Sequence, residues 1–92
     1  MKIKDGFVVR EVAGSYVVMN IGGDVSFNGM ITLNELGAFI WKAIENGDNA
    51  EEIAKKIIAE YEIDFETALK DTKVFIEKMN GAGVLEQLEQ ED

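Results

Sequence analysis

The chain has 92 residues, a net charge of −9, and neither cysteine nor histidine. That length bounds it to one domain spanning residues 1–92, near the lower end of what can bury a core unaided. Without Cys there is no disulfide framework or thiolate metal site, and without His the commonest general base and zinc ligand are both gone.

The stretch "FVVREVAGSYVVMNIGG" reads as a hairpin. Residues 7–13 and 16–21 are rich in Val, Ile, Phe and Tyr, and Gly14-Ser15 is predicted as the two-residue connection, its glycine free to take positive φ. Gly22, Gly23 and Asp24 break the second strand. A third strand is predicted near residues 25–31 from the alternation of Val25 and Phe27, with Asn28-Gly29 a bulge or another tight turn.

Within "MITLNELGAFIW" a strand-like run becomes an amphipathic helix. Thr32 and Glu35 match a capping box, and Ile31 and Leu36 occupy the staple positions. A cap of this kind contributes about 1 kcal/mol, enough to fix where a short helix begins. Leu33, Leu36, Gly37, Ile40, Trp41 and Ile44 then follow at helical spacing, and Asn46-Gly47 stops the helix. Trp41 on that stripe reads as core rather than as a ligand platform.

Asn49 with Glu52 starts a second helix, with Ala50, Ile53, Ala54, Ile57, Ile58 and Tyr61 on its apolar stripe and Glu51, Glu52, Glu60 and Glu62 outside. Asp64 caps a third, whose predicted buried positions are Phe65, Ala68, Leu69, Thr72, Phe75, Ile76 and Met79. Gly81 and Gly83 end it. Val74 breaks the pattern: it falls opposite the centre of that stripe, among Lys70, Asp71, Glu77 and Lys78, and is predicted to face solvent. A single exposed valine is ordinary on any surface. Beyond the helix, "VLEQL" is read either as a short returning strand or as loose packing, and residues 86–92 as a mobile charged terminus.

Charge is distributed unevenly. Residues 1–44 carry four acidic and four basic groups, whereas residues 45–92 carry fourteen carboxylates against five lysines. Such a surface repels the phosphate backbone, and its plainest reading is solubility. The third helix is the neutral stretch of the acidic half, with Lys70, Lys73 and Lys78 balancing Glu66, Asp71 and Glu77. No nucleophile-histidine arrangement can form, "GAGV" is too short to cradle a phosphate, and "NGDNAEE" lacks the spacing of a calcium loop. Its acidic residues are explained as helix-start charges. Catalysis, a metal site and a cofactor are therefore not expected. No run approaches the ~18 apolar residues of a spanning helix, and "MKIKDG" leads into no signal sequence, so a cytoplasmic protein without membrane contact is expected.

In order, three strands, a capped helix with Gly37 and Ile40-Trp41, a Gly47 stop and two more helices resemble the PqqD-like family, small proteins akin to coenzyme PQQ synthesis protein D. The residues that carry the resemblance are "GFVVREVAGSYVV", "FNGMITLNELGAFIWKAIENG" and the helix from "DFETALKD" to "GAGVLE"; it spans nearly the whole chain. It implies an α+β, winged helix-turn-helix-like fold, an N-terminal three-stranded antiparallel sheet followed by three helices. The implied function is non-catalytic: an adaptor that binds the leader segment of a ribosomally made precursor peptide and presents it to a modifying enzyme, often a radical enzyme. In the family the leader adds as a strand to the third strand's edge and lies against the third helix. Carried over, Ser26, Phe27, Asn28, Met30 and Ile31 form one side of the groove, and Lys70, Lys73, Val74, Glu77 and Lys78 the other. Strand addition draws affinity from backbone hydrogen bonds and specificity from neighbouring side chains, which gives Val74 and the lysines a use.

Two other readings fit the residues. A winged-helix transcription regulator would need a basic recognition face, and a protein that dimerises through its exposed strand edge would show a concentration-dependent mass. Monomer and dimer both remain open on the sequence.

Overall fold

A computed structural model describes residues 2–21 and 31–86. In chain order the elements are β1 (Lys2–Ile3), β2 (Phe7–Val12), β3 (Ser15–Asn20), β4 (Ile31–Leu33), α1 (Glu35–Glu45), α2 (Ala50–Glu60), α3 (Phe65–Gly81) and β5 (Leu85–Glu86). β2, β3 and β4 make an antiparallel sheet in that order, and β1 pairs with β5 in a separate two-stranded ribbon. The α+β architecture, with a three-stranded antiparallel sheet and three helices, is the one expected; the winged-helix comparison fits it loosely.

In the hairpin, Phe7 lies opposite Asn20, Val9 opposite Val18, and Val12 opposite Ser15. The connection is therefore Ala13-Gly14, one residue earlier than the expected Gly14-Ser15. Both take positive φ, +52° and +84°, as a primed two-residue turn demands. Burial decides the register: this pairing sets Phe7, Val9, Tyr16 and Val18 together on the face toward the helices. The opposite face carries Val8, Arg10, Val17 and the exposed Val12 and Met19.

β4 runs antiparallel to β3, with Tyr16 opposite Leu33, Val17 opposite Thr32 and Val18 opposite Ile31. Of the third strand expected at residues 25–31, only Ile31 lies within the described residues, and the strand continues through Thr32 and Leu33. Thr32 is consequently not the helix cap. Asn34 is: its backbone is extended, and its side chain accepts from the Gly37 N–H at 2.7 Å. The strand runs two residues further because Leu33 is buried on the inner sheet face, and Asn caps as well as Thr.

α1 is the central helix, touching β1, β3, β4, α2 and α3. It buries Ala38, Ile40, Trp41, Ala43 and Ile44, and the Trp41 indole N–H donates to Glu45 Oε2 at 2.9 Å, so the largest core side chain leaves no polar atom stranded. The helix ends as expected at Asn46, with Gly47 at φ +90°. Gly37 sits inside this helix, where a glycine is about 1 kcal/mol less favourable than alanine. Space accounts for it: a Cβ there would lie within 3.3 Å of atoms of Leu33, Asn34 and Phe75.

The Asn49/Glu52 capping box of α2 forms in both directions at 2.8 Å, and Lys56 pairs with Asp48 beside it. Ile53, Ala54 and Ile57 carry the packing on α3. Ile58, expected on the stripe, is instead exposed on its flank. Just beyond α2, Tyr61 stands edge-on to Phe39, with ring centroids 5.7 Å apart, and its hydroxyl reaches Glu35 Oε2 at 3.4 Å. Burial first, then the Glu35 charge, pushes the Tyr61 phenol above its ordinary pKa.

α3 buries Ala68, Thr72, Phe75 and Met79, with Leu69 and Ile76 partly buried. The Thr72 hydroxyl donates to the Ala68 carbonyl at 2.8 Å, which satisfies it inside the core. Phe65, expected to be buried, is exposed. It is the first helical residue, and helical side chains lean toward the N-terminus, so it projects past the packed part of the helix. After Gly83, at φ +80°, Val84 and Leu85 return to the core, and β5 pairs with β1, Ile3 opposite Leu85. The returning strand is the one "VLEQL" suggested; its partner β1 was not anticipated. The expected mobile terminus at residues 86–92 lies outside the described residues except for Glu86.

Candidate functional site

β4 is the last strand of its sheet. One edge is hydrogen-bonded to β3, and the other has no strand partner among the described residues. A cavity of about 540 Å³ opens along that strand. β4 supplies Ile31, Thr32 and Leu33; the start of α1 supplies Asn34, Leu36, Gly37 and Ile40; α3 and its cap supply Asp71, Val74, Phe75, Lys78, Met79 and Ala82.

Each wall follows from local sequence. The strand ends at Leu33 because Asn34 caps α1, and the cap places the first turn of that helix at the bottom of the groove. On α3, the spacing 71, 74, 75, 78, 79 and 82 marks one helical face, which grades from buried Phe75 and Met79 at the floor to exposed Val74 and Lys78 at the lip. The floor is apolar, and the charged lining groups are Asp71 and Lys78. Among the described residues no group of three potential metal ligands comes together.

Of the residues carried over from the family, Ile31, Val74 and Lys78 line this cavity. Lys70, Lys73 and Glu77 are exposed on α3 but are not part of the lining. Ser26, Phe27, Asn28 and Met30 lie outside the described residues. Val74 is 47% exposed, as its position opposite the stripe required. Sequence reasoning missed the floor: Leu33, Leu36, Gly37, Ile40, Phe75 and Met79 all read as plain core, because core stripe and groove floor share one periodicity. The signal that could have separated them was Gly37, a glycine inside an apolar helical stripe.

A strand edge with no strand partner among the described residues, set across an apolar cleft from a helix, has the geometry that strand-adding peptides use. The chain belongs to the PqqD family, coenzyme PQQ synthesis protein D, whose sequence profile matches residues 15–85. Two solved structures share its fold. One, described as TbiB1 in complex with the TbiA(beta) leader peptide, superimposes with a TM-score of 0.79 at 28% identity, over 98% of this chain and 100% of that one. The other, lasso peptide synthetase B1 complexed with the leader peptide, gives 0.75 at 17% identity over 90% of this chain and 93% of that one, a likeness of fold. No curated protein sequence matches the chain.

Proposed function

We propose that this protein is a non-catalytic adaptor that binds the leader segment of a ribosomally made precursor peptide and presents it to a modifying enzyme. The observation that carries the reading is the edge of β4, without a strand partner among the described residues, across an apolar cavity from α3, in a fold that aligns end to end with a leader-peptide complex. The leader lies as a fourth strand beside β4. Its backbone bonds that edge, its apolar side chains enter the floor, and Val74 and Lys78 meet those at the lip. Ser26, Phe27, Asn28 and Met30, which the family resemblance assigns to the strand side, lie outside the described residues, and Lys70, Lys73 and Glu77 extend the helix side.

The protein is a recognition partner of the enzyme that does the chemistry. The family resemblance points to a radical enzyme, and the second structural relative is named for a lasso peptide synthetase; co-purification with candidate enzymes of the two kinds decides between them. Among the described residues no helix is long and apolar enough to cross a membrane, in keeping with a cytoplasmic site of action. Nucleic acid is not a partner, since α2 is acidic and α3 neutral.

Calorimetric titration with a candidate precursor peptide, with its leader alone and with its core alone tests the reading. The leader and the whole precursor are expected to bind alike, between tens of nanomolar and micromolar, or about 8 to 10 kcal/mol. Binding carried by the core alone would contradict it. So would a submicromolar shift of random duplex DNA at ~150 mM salt, which would favour the regulator reading.

A further inference from the structure

Resting on the peptide-binding reading, we propose that Gly37 is a specificity-determining residue: having no side chain, it keeps the groove floor deep enough to seat a large apolar side chain of the bound peptide. Gly37 is buried in α1 and has no positive φ, so its backbone does not call for glycine. What calls for it is the meeting of three walls. A Cβ at this position would approach Asn34 Oδ1 to 3.2 Å, Leu33 Cβ to 3.3 Å and Phe75 Cε1 to 3.3 Å.

Two of those neighbours are held. Leu33 Cβ is fixed to the β4 backbone, and Asn34 Oδ1 is fixed by the bond it accepts from Gly37 itself. The third is a ring that can turn, and Phe75 lines the cavity. A side chain at position 37 therefore crowds all three neighbours, of which the Phe75 ring can give, and because Gly37 and Phe75 both line the cavity the added atoms take up space at its floor. The chemistry of the occupant follows from the same floor. Leu36, Ile40, Phe75 and Met79 offer no polar partner, while Asp71 and Lys78 are the charged groups of the lining. A volume of about 540 Å³ falls within the range that accepts whole small ligands. That volume takes several side chains of an extended segment, and over Gly37, where the floor carries no side chain of its own, the large one is an aromatic or branched apolar residue.

The test is selection from an mRNA-displayed library of random 12-residue peptides on the immobilised full chain. Wild type, Gly37→Ala, Phe75→Leu and the double variant are compared, each checked for helicity by circular dichroism. Wild type is expected to enrich peptides with a large apolar residue at one position. Gly37→Ala should shift that position alone toward smaller residues and weaken the wild-type consensus peptide about tenfold; adding Phe75→Leu should restore it. If Gly37→Ala does not fold, Phe75→Leu alone should shift the same position toward larger residues. An unchanged consensus and affinity in folded Gly37→Ala, or in Phe75→Leu where that variant decides, would overturn the proposal while leaving peptide binding intact. Failure of the wild type to enrich any peptide would overturn the peptide-binding reading and this proposal with it.

Discussion

The Gly37 N–H donates to Asn34 Oδ1 at 2.7 Å, and this bond marks where β4 becomes α1. Removing it should cost about 1 kcal/mol, the usual worth of an N-cap. Asn34→Ala is therefore expected to lower Tm by roughly 4–8 °C in a domain of this size. Thr32→Ala, an exposed strand change, should stay within about 0.5 kcal/mol of wild type. A thermal melt in which Thr32→Ala is the more damaging of the two would return the cap to Thr32.

Trp41 is 1% exposed and fills the centre of the core beneath the sheet. Trp41→Ala should cost about 3–5 kcal/mol, a large share of the roughly 5–15 kcal/mol that holds a domain together. Trp41→Phe keeps an aromatic ring but loses the bond to Glu45, and should fall between the two. Urea unfolding reads both; an alanine variant as stable as wild type would contradict the packing of α1.

Ala13 occupies a left-handed position in the hairpin turn, at φ +52°. That conformation is roughly 1–2 kcal/mol unfavourable for a residue with a Cβ. Ala13→Gly and Ala13→Asn should therefore stabilise the protein, by about 0.5–1 kcal/mol, whereas Ala13→Val should destabilise it. A stabilised valine variant would place the turn elsewhere.

Asp64 and Tyr61 each add a pH-dependent contribution to stability. Thr67, through its side chain and then its backbone N–H, holds the Asp64 carboxyl below its ordinary pKa. The folded state thus binds this proton less readily than the unfolded chain. The cap's contribution is present above about pH 4 and is lost as pH falls through the lowered folded value. Tyr61 runs the other way. Its raised pKa means the unfolded chain loses that proton first, so stability falls as pH climbs past the ordinary tyrosine value near 10. Asp64→Asn should flatten the acid limb and Tyr61→Phe the alkaline one, in denaturation midpoints followed across pH.

The helices were legible because their stripes and caps are local: Asn49 with Glu52, Asp64, and the Asn46-Gly47 stop all stand where the spacing put them. The errors arose where tertiary packing chose between local options. Thr32 and Asn34 are both good caps, and only the burial of Leu33 against the sheet decides for Asn34. Gly14-Ser15 is as good a turn as Ala13-Gly14 until the hairpin has to put Val9 and Val18 on one face. β1 is two residues long and gains its identity from β5, more than eighty residues away, which no local pattern could show. The groove was half legible for the same reason. At its lip Val74 stood out as a misfit of the α3 pattern, among lysines that include Lys78, while its floor satisfied the pattern and so was indistinguishable from core.

The proposed peptide position, between β4 and α3, is open to amide NMR during titration with a candidate leader peptide. Lys70 and Lys78 are exposed on α3, two turns apart on the face that holds Val74. Changing both to Glu should weaken binding by reversing two contacts, yet alter stability by no more than about 0.5 kcal/mol per site. Shifts are expected to cluster in residues 25–33 and 66–80, with weaker binding in the double variant. Shifts confined to β2, β3 or the acidic terminus, with the double variant binding as wild type does, would contradict it.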